Sequence, residues 1–174
     1  QDSFSVAKPD LVEATKDTGD LKCTAFQLLA DIGIDQKAFA ELVDYYDGLI
    51  ECYPDQDLLK YSRGYYASRA GQYEKAIKDF EYIEKDVKLT QLKLATYNQL
   101  AYSYLHLKNY DKANEYIDKT LTINVLNGEA HYYRGLVFLS QDKKEKACDS
   151  IKKSLSYASE GEYRTEAIEK MKEL

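Results

Sequence analysis

Tyr110-Asp-Lys-Ala-Asn-Glu-Tyr-Ile117 decides the fold, because its pattern stands also at Tyr73-Glu-Lys-Ala-Ile-Lys-Asp-Phe80 and at Lys144-Glu-Lys-Ala-Cys-Asp-Ser-Ile151. Self-similarity at a fixed period is the mark of a repeat architecture. Small residues keep the phase: Gly64 precedes Ala76 by the same interval as Ala101 precedes Ala113 and Gly135 precedes Ala147. The step from Ala101 to Gly135 equals that from Ala113 to Ala147, whereas Gly64 to Ala101 is longer, so the first unit carries a three-residue insertion near Asp86 to Thr90.

Outward from that core, each unit reads as two antiparallel helices. Tyr97, Leu100, Ala101 and Tyr104 fall on one helical face. Lys108-Asn109 breaks the period, and Ala113, Ile117 and Leu121 resume it at four-residue steps. Gly71 and Asp142 take the place of the break in the other units. A glycine just past a helix end tolerates the left-handed conformation without steric cost. The facing small residues let the two backbones of a hairpin approach closely.

Tyr97, Leu100-Ala101, Tyr104, Tyr110, Ala113 and Leu121 resemble the signature of the tetratricopeptide repeat (TPR) family. The third unit keeps Gly135, Phe138, Ala147, Ile151 and Leu155 but has His131, Arg134 and Lys144 at signature positions. The first keeps Gly64, Gly71, Tyr73, Ala76 and Phe80 but sets Lys60 and Arg63 on the helix face, where long stems can still cover apolar surface. The resemblance implies an all-α fold, a right-handed superhelix of stacked antiparallel hairpins, with repeats over 57–93, 94–127 and 128–161. Phe26, Leu29-Ala30, Phe39, Leu42, Tyr46 and Ile50 sit in the same phase and predict a degenerate hairpin over 20–56. Its helices are expected at about Asp20 to Asp31 and Gln36 to Tyr53, with Gly33 and Asp35 in the turn and Pro54 as the stop. Residues 1–19 have no sustained period and read as a mobile arm. Over 162–174, the stripe Tyr163, Ala167, Ile168, Met171 and Leu174 reads as a capping helix.

Composition agrees and excludes several functions. The chain of 174 residues is 44% apolar and 31% charged, with 8 Gly and 2 Pro, which argues against disorder and against a turn-rich β-sandwich. A net charge of −6 with no clustering of the basic residues argues against nucleic acid; Asp142, Glu145 and Asp149 interleave the lysines around Lys143 to Lys153. No apolar run approaches the roughly 18–20 residues of a membrane-spanning helix, so no membrane insertion is expected. A phosphate loop, His-Glu-x-x-His, Gly-x-Ser-x-Gly and Cys-x-x-Cys are all missing from the chain, so no catalytic residue, metal site or cofactor is expected. His131 reads as a packing residue and Cys148 as a half-buried, inert thiol.

The cysteines and the opening residues point to different compartments. Cys23, Cys52 and Cys148 are odd in number, which suits a reducing compartment or buried thiols. A hairpin turning near residues 32–35 would put Cys52 several residues beyond the level of Cys23, so no bridge between them is expected. Gln1-Asp-Ser-Phe-Ser-Val-Ala-Lys-Pro-Asp10 nevertheless reads like the residues left after signal-peptide cleavage. This favours a periplasmic or extracellular location, with the cytoplasm as the alternative.

Of the 17 tyrosines, Tyr46, Tyr73, Tyr97, Tyr104 and Tyr110 take signature packing positions. A second stripe, about 100° further round each first helix, holds Tyr61, Tyr65, Asn98, Tyr102 and Tyr132. The resemblance implies that this stripe lines a concave groove, bordered by Arg69, His106 and Glu129, and that the groove binds a partner protein or peptide. Solvent-facing tyrosines are effective low-entropy anchors. Chaperone-binding members of the family clamp a C-terminal carboxylate with Lys and Asn; here only Asn98 matches in type, so that mode is not expected. The function expected is an interaction scaffold. The alternative is a self-assembling, homo-oligomeric unit.

Overall fold

In the computed structural model, which describes residues 3–157 and 162–174, these residues form ten helices and no strand. They are α1 (Ser3–Ala14), α2 (Asp20–Asp35), α3 (Phe39–Cys52), α4 (Asp57–Arg69), α5 (Tyr73–Asp86), α6 (Thr90–His106), α7 (Tyr110–Ile123), α8 (Gly128–Ser140), α9 (Lys144–Tyr157) and α10 (Glu162–Glu173). The chain divides into two compact units, Gln1–Ile83 and Glu84–Leu174.

One local device ends the first helix of every hairpin. Lys37, Gly71, Lys108 and Asp142 all have φ between 52° and 78°, in the left-handed region. At each, the N–H of the following residue donates five residues back: Ala38 to Gly33, Gln72 to Ala67, Asn109 to Tyr104 and Lys143 to Phe138, at 2.8–2.9 Å. The left-handed residue itself donates three back, for example Lys108 to Leu105 at 2.9 Å. This paired pattern satisfies carbonyls that a helix end would otherwise leave open. Asn109 and Asn127 cap the starts of α7 and α8, their side-chain oxygens accepting from the N–H groups of Lys112 and Ala130.

In the N-terminal unit, α3 packs on both α2 and α4, and α1 packs on α2. Ala30, Leu42 and Leu49 form the buried centre, with Phe26, Phe39, Tyr46, Leu59 and Tyr66 closing round it. In the C-terminal unit, α6 pairs with α7 and α8 with α9, while α8 also touches α6 and α7. Leu100, Ala101, Ala113, Ile117, Ala147 and Ile151 are fully buried there, as the repeat phase predicts, and so is Val137. α10 packs on α8 and α9 and buries Ala167 completely. Of the packing tyrosines named from the sequence, Tyr97 is buried, whereas Tyr46, Tyr73, Tyr104 and Tyr110 are half-buried.

Three expectations need correction. Residues 3–14, read as a mobile arm, form α1 and pack on α2, and Lys8 reaches Glu41 of α3 at 2.5 Å. Lys8 and Tyr45, both bonded to Glu41, hold its carboxyl below the usual range. Tertiary contact rather than amphipathic period makes this helix, so pattern alone misses it. Secondly, α2 continues through Gly33 to Asp35, and the reversal falls at Lys37. Lys37 precedes Gly71 by the same interval as Lys108 precedes Asp142, so this turn is fully in phase with the repeats.

The third correction follows from the second. With the reversal at Lys37, Cys23 before it and Cys52 after it are separated from it by nearly equal stretches of chain, which sets them at the same level of the hairpin. They form a disulfide with Cα atoms 5.8 Å apart. The expectation of no bridge rested on a turn placed too early. Cys148 is free and half-buried, and His131 is buried with Nε2 2.9 Å from the Val125 carbonyl oxygen.

The substituted signature positions are compensated by charge. Arg63 donates to both carboxylate oxygens of Asp79 at 2.8 and 2.5 Å and to Asp47 of α3 at 2.6 Å. Hydrogen bonds to Asp79 and Asp47 outweigh burial and push the Arg63 guanidinium further above its ordinary value. Arg134, the equivalent residue of the third repeat, pairs with Asp118 of α7. Asp47 and Asp118 each lie 16 residues before their arginine, on the helix preceding the repeat.

At Gly135 the neighbouring helix approaches the backbone closely, since a Cβ there would lie 2.6 Å from Ile151 Cγ1 and 3.4 Å from the Ala147 carbonyl oxygen. Ile151 is fully buried and has little room to give. Gly135→Ala should therefore destabilise by about 1–2 kcal/mol, even after the roughly 1 kcal/mol that Ala gains as a helix former. A urea titration checks this, and equal or higher stability would show that α8 and α9 can move apart.

Candidate functional site

The second stripe divides between the two units. On α4, Tyr61, Tyr65 and Arg69 stand four residues apart and are all half-buried. The Tyr61 ring meets Phe80 edge-on at 5.5 Å. Tyr65 meets Tyr66 edge-on at 5.3 Å, and the Arg69 guanidinium lies 5.3 Å from the Tyr65 ring centre, close enough for a cation–π interaction. Tyr66 anchors this face: its ring packs on Phe39 and Tyr46 of α3, and burial pushes its phenol up to about 12.

On α6 of the C-terminal unit, Asn98, Tyr102 and His106 repeat the same four-residue spacing. Asn98 is only 3% exposed. Its Nδ2 donates to Glu129 Oε2 at 2.6 Å and to Asn127 Oδ1 at 3.3 Å. Asn127 Oδ1 already accepts from the Ala130 N–H at 2.8 Å, which fixes it as an acceptor and so fixes the orientation of the Asn98 amide. Tyr133 donates its hydroxyl to Glu129 Oε1 at 2.7 Å. The Tyr102 ring sits 4.4 Å from the His106 ring and 5.8 Å from that of Tyr133. Tyr102 is half-buried and His106 exposed.

Tyr132 departs from the expectation of a partly exposed anchor. It is 2% exposed. Burial raises its phenol well above the ordinary tyrosine value, and the charge of Glu166 on α10, with which it shares a hydrogen bond, adds to the shift. The C-terminal helix thus covers the last position of the stripe. Tyr61, Tyr65 and Tyr102 keep partial exposure.

Tyr133, Asn127 and Glu166 were missed from the sequence, although they orient the others. Two signals were available: Glu129 and Tyr133 are an i, i+4 pair, and Asn127 is an N-cap residue two positions before Glu129. Nothing local points from Tyr132 to Glu166, which α10 delivers. No group of three or more His, Cys, Asp or Glu among the described residues is placed to hold a metal ion. Nor is any described helix long and apolar enough to cross a membrane.

Repeated hairpins with this capping and this small-residue packing agree with a match to the Iml2/Tetratricopeptide repeat protein 39 family over residues 23–174. The chain belongs to that family. Among solved structures, this TPR chain is similar to MamA (41-end) from Desulfovibrio magneticus RS-1, with a TM-score of 0.64 at 17% identity, covering 91% of this chain and 97% of that one. It is also similar to the APC/C hetero-tetramer Cut9-Hcn1, with a TM-score of 0.67 at 17% identity over 97% of this chain and 34% of that one. The Arabidopsis OM64 TPR domain gives a TM-score of 0.55 at 19% identity over 67% of this chain and 94% of that one. These likenesses show the TPR fold. No curated protein sequence matches the chain. Membership of a TPR family makes protein–protein interaction the class of function to expect.

Replacing Tyr132 with Ala should cost about 3–5 kcal/mol of folding free energy, as for other buried aromatic side chains, measured by chemical denaturation. A loss below about 1 kcal/mol would show that α10 does not cover this ring.

Proposed function

We propose that this TPR protein is an interaction scaffold and that Tyr102 of the C-terminal unit is its principal partner-binding anchor, with His106, Asn98 and Glu129 beside it. The observation that carries this reading is the combination at Tyr102 of a half-exposed ring with ring contacts to His106 and Tyr133. A pre-ordered aromatic side chain with polar neighbours offers contact area at low entropic cost. In the N-terminal unit Tyr61, Tyr65 and Arg69 have the same character, and the reading includes them as a second contact surface. Tyr132 acts in support, holding α8 to α10.

The fitting ligand is a protein segment with apolar or aromatic side chains. A photo-crosslinking amino acid at position 102, introduced in the native cell, tests this against self-assembly. The scaffold reading expects an adduct with one foreign protein from position 102 and none from exposed Lys153. An adduct with a second copy of the chain would instead identify a homo-oligomeric unit. For the partner so identified, Tyr102→Ala should weaken binding by roughly 1–2 kcal/mol while lowering stability by less. Equal losses of folding and of binding would sink the reading.

For location, the reading is an exported protein, periplasmic or extracellular. The Cys23–Cys52 bond supports it, because structural disulfides persist mainly in oxidising compartments. Fractionation of native cells should recover the chain outside the cytoplasm, and recovery with cytosolic markers would overturn this.

A further inference from the structure

The open end of the first hairpin carries a disulfide and little buried surface. Cys23 stands in the first turn of α2 and Cys52 is the last residue of α3, so their bond closes the hairpin at the end opposite Lys37. Outward of Ala25 and Leu49, no residue of α2 or α3 is buried. Lys22 and Glu51 form an ion pair there at 3.0 Å, but Glu51 is exposed and Lys22 only half-buried, and pairs open to solvent contribute little. Gly19, the N-cap of α2, provides no side-chain hydrogen bond, and Leu21 is exposed. The Phe26 ring packs directly against the backbone of Gly48 nearby.

This hairpin supports the rest of its unit. Asp47 of α3 receives Arg63 of α4 at 2.6 Å and Lys75 of α5 at 2.7 Å, while Tyr46 and Phe39 pack on Tyr66. Glu41 of α3 receives Lys8 of α1. Both bridged cysteines are half-buried rather than enclosed, within reach of a small thiol or disulfide. In the C-terminal unit the only cysteine is Cys148, which is free.

We propose that Cys23 and Cys52 form a redox latch that sets the firmness of the N-terminal unit and leaves the C-terminal unit unaffected. Closing the latch joins the two sulfurs: the thiols lose two protons and two electrons, and a disulfide oxidant of the glutathione class takes them up to become two thiols. Cross-linking residues 29 apart removes conformations chiefly from the opened hairpin, so the closed latch favours the packed state. With the latch open, α2 and α3 fray from the Cys end, and α4, with Tyr61 and Tyr65 on it, loses its support. The proposal does not depend on the binding reading, since it concerns only the order of residues 20–69.

Hydrogen exchange read by mass spectrometry on the full chain tests it, with the chain first oxidised by glutathione disulfide and then reduced by dithiothreitol. After oxidation and removal of glutathione, thiol titration in denaturant should find only Cys148 free. Reduction should speed exchange across α2 and α3 by roughly a hundredfold, and across α4 to a smaller extent, while α6 to α9 keep their rates. The melting transition of the N-terminal unit should fall by roughly 10 °C or more. A Cys23→Ser, Cys52→Ser variant should match the reduced chain and ignore reductant. If that variant does not fold, the reduced native chain still decides the matter. Three titratable thiols after oxidation, unchanged exchange in α2 and α3 on reduction, or equal acceleration in both units would each overturn the latch.

Discussion

Each hairpin depends on a reversal of the chain at one residue held at positive φ. At Lys37, Gly71, Lys108 and Asp142 the helix end is closed by the same pair of backbone hydrogen bonds. Three of these four residues are not glycine and carry a cost of roughly 1–2 kcal/mol for a left-handed backbone. They are tolerated because the paired bonds satisfy carbonyls that would otherwise be open, and because the next helix must start in one register. Within a hairpin that register sets Gly135 against Ala147 and Ile151, and Gly64 against Asp79 and Phe80. In the degenerate hairpin it also sets Cys23 level with Cys52. One left-handed residue thereby determines both the small-residue packing and the disulfide.

Charge makes up for the missing apolar signature residues. Where the repeat calls for leucine, the first and third units have Arg63 and Arg134, each bonded to an aspartate 16 residues earlier. The middle unit keeps Leu100, and the residue at the equivalent earlier position, Glu84, pairs instead with Tyr116 and Lys119 of α7. Asp79, 4% exposed, is the most buried charge of these groups and is held by both nitrogens of the Arg63 fork. Removing one partner of such a pair costs far more than the pair itself contributes. The arginines are therefore specific to their repeats.

The candidate site shows how one stripe can hold residues with different tasks. Asn98, Glu129, Asn127 and Tyr133 form a bonded group that fixes the start of α8 against α6. Tyr102 rests on that group with part of its ring exposed, whereas Tyr132, the counterpart of Asn98 in the following repeat, is closed over by α10. Position in the repeat places a side chain on a face. The next helix decides whether that face stays open.

Repeat phase alone was enough to read the all-α hairpins, the small residues between them and the core positions Leu100, Ala101, Ala113, Ile117 and Ile151, because periodic burial leaves a periodic trace. The turns at Gly71, Lys108 and Asp142 were legible for the same reason. α1 was not, since packing on α2 and the Lys8–Glu41 pair hold it and neither leaves a local pattern. Gly33 misled the reading of the first hairpin: a glycine suggests a turn, but this one lies inside α2, where a Cβ would come within 2.9 Å of Leu42. The disulfide and the burial of Tyr132 were likewise decided only in three dimensions. Both depend on where a later helix is brought alongside an earlier one, and the spacing of residues within a single helix carries no record of that.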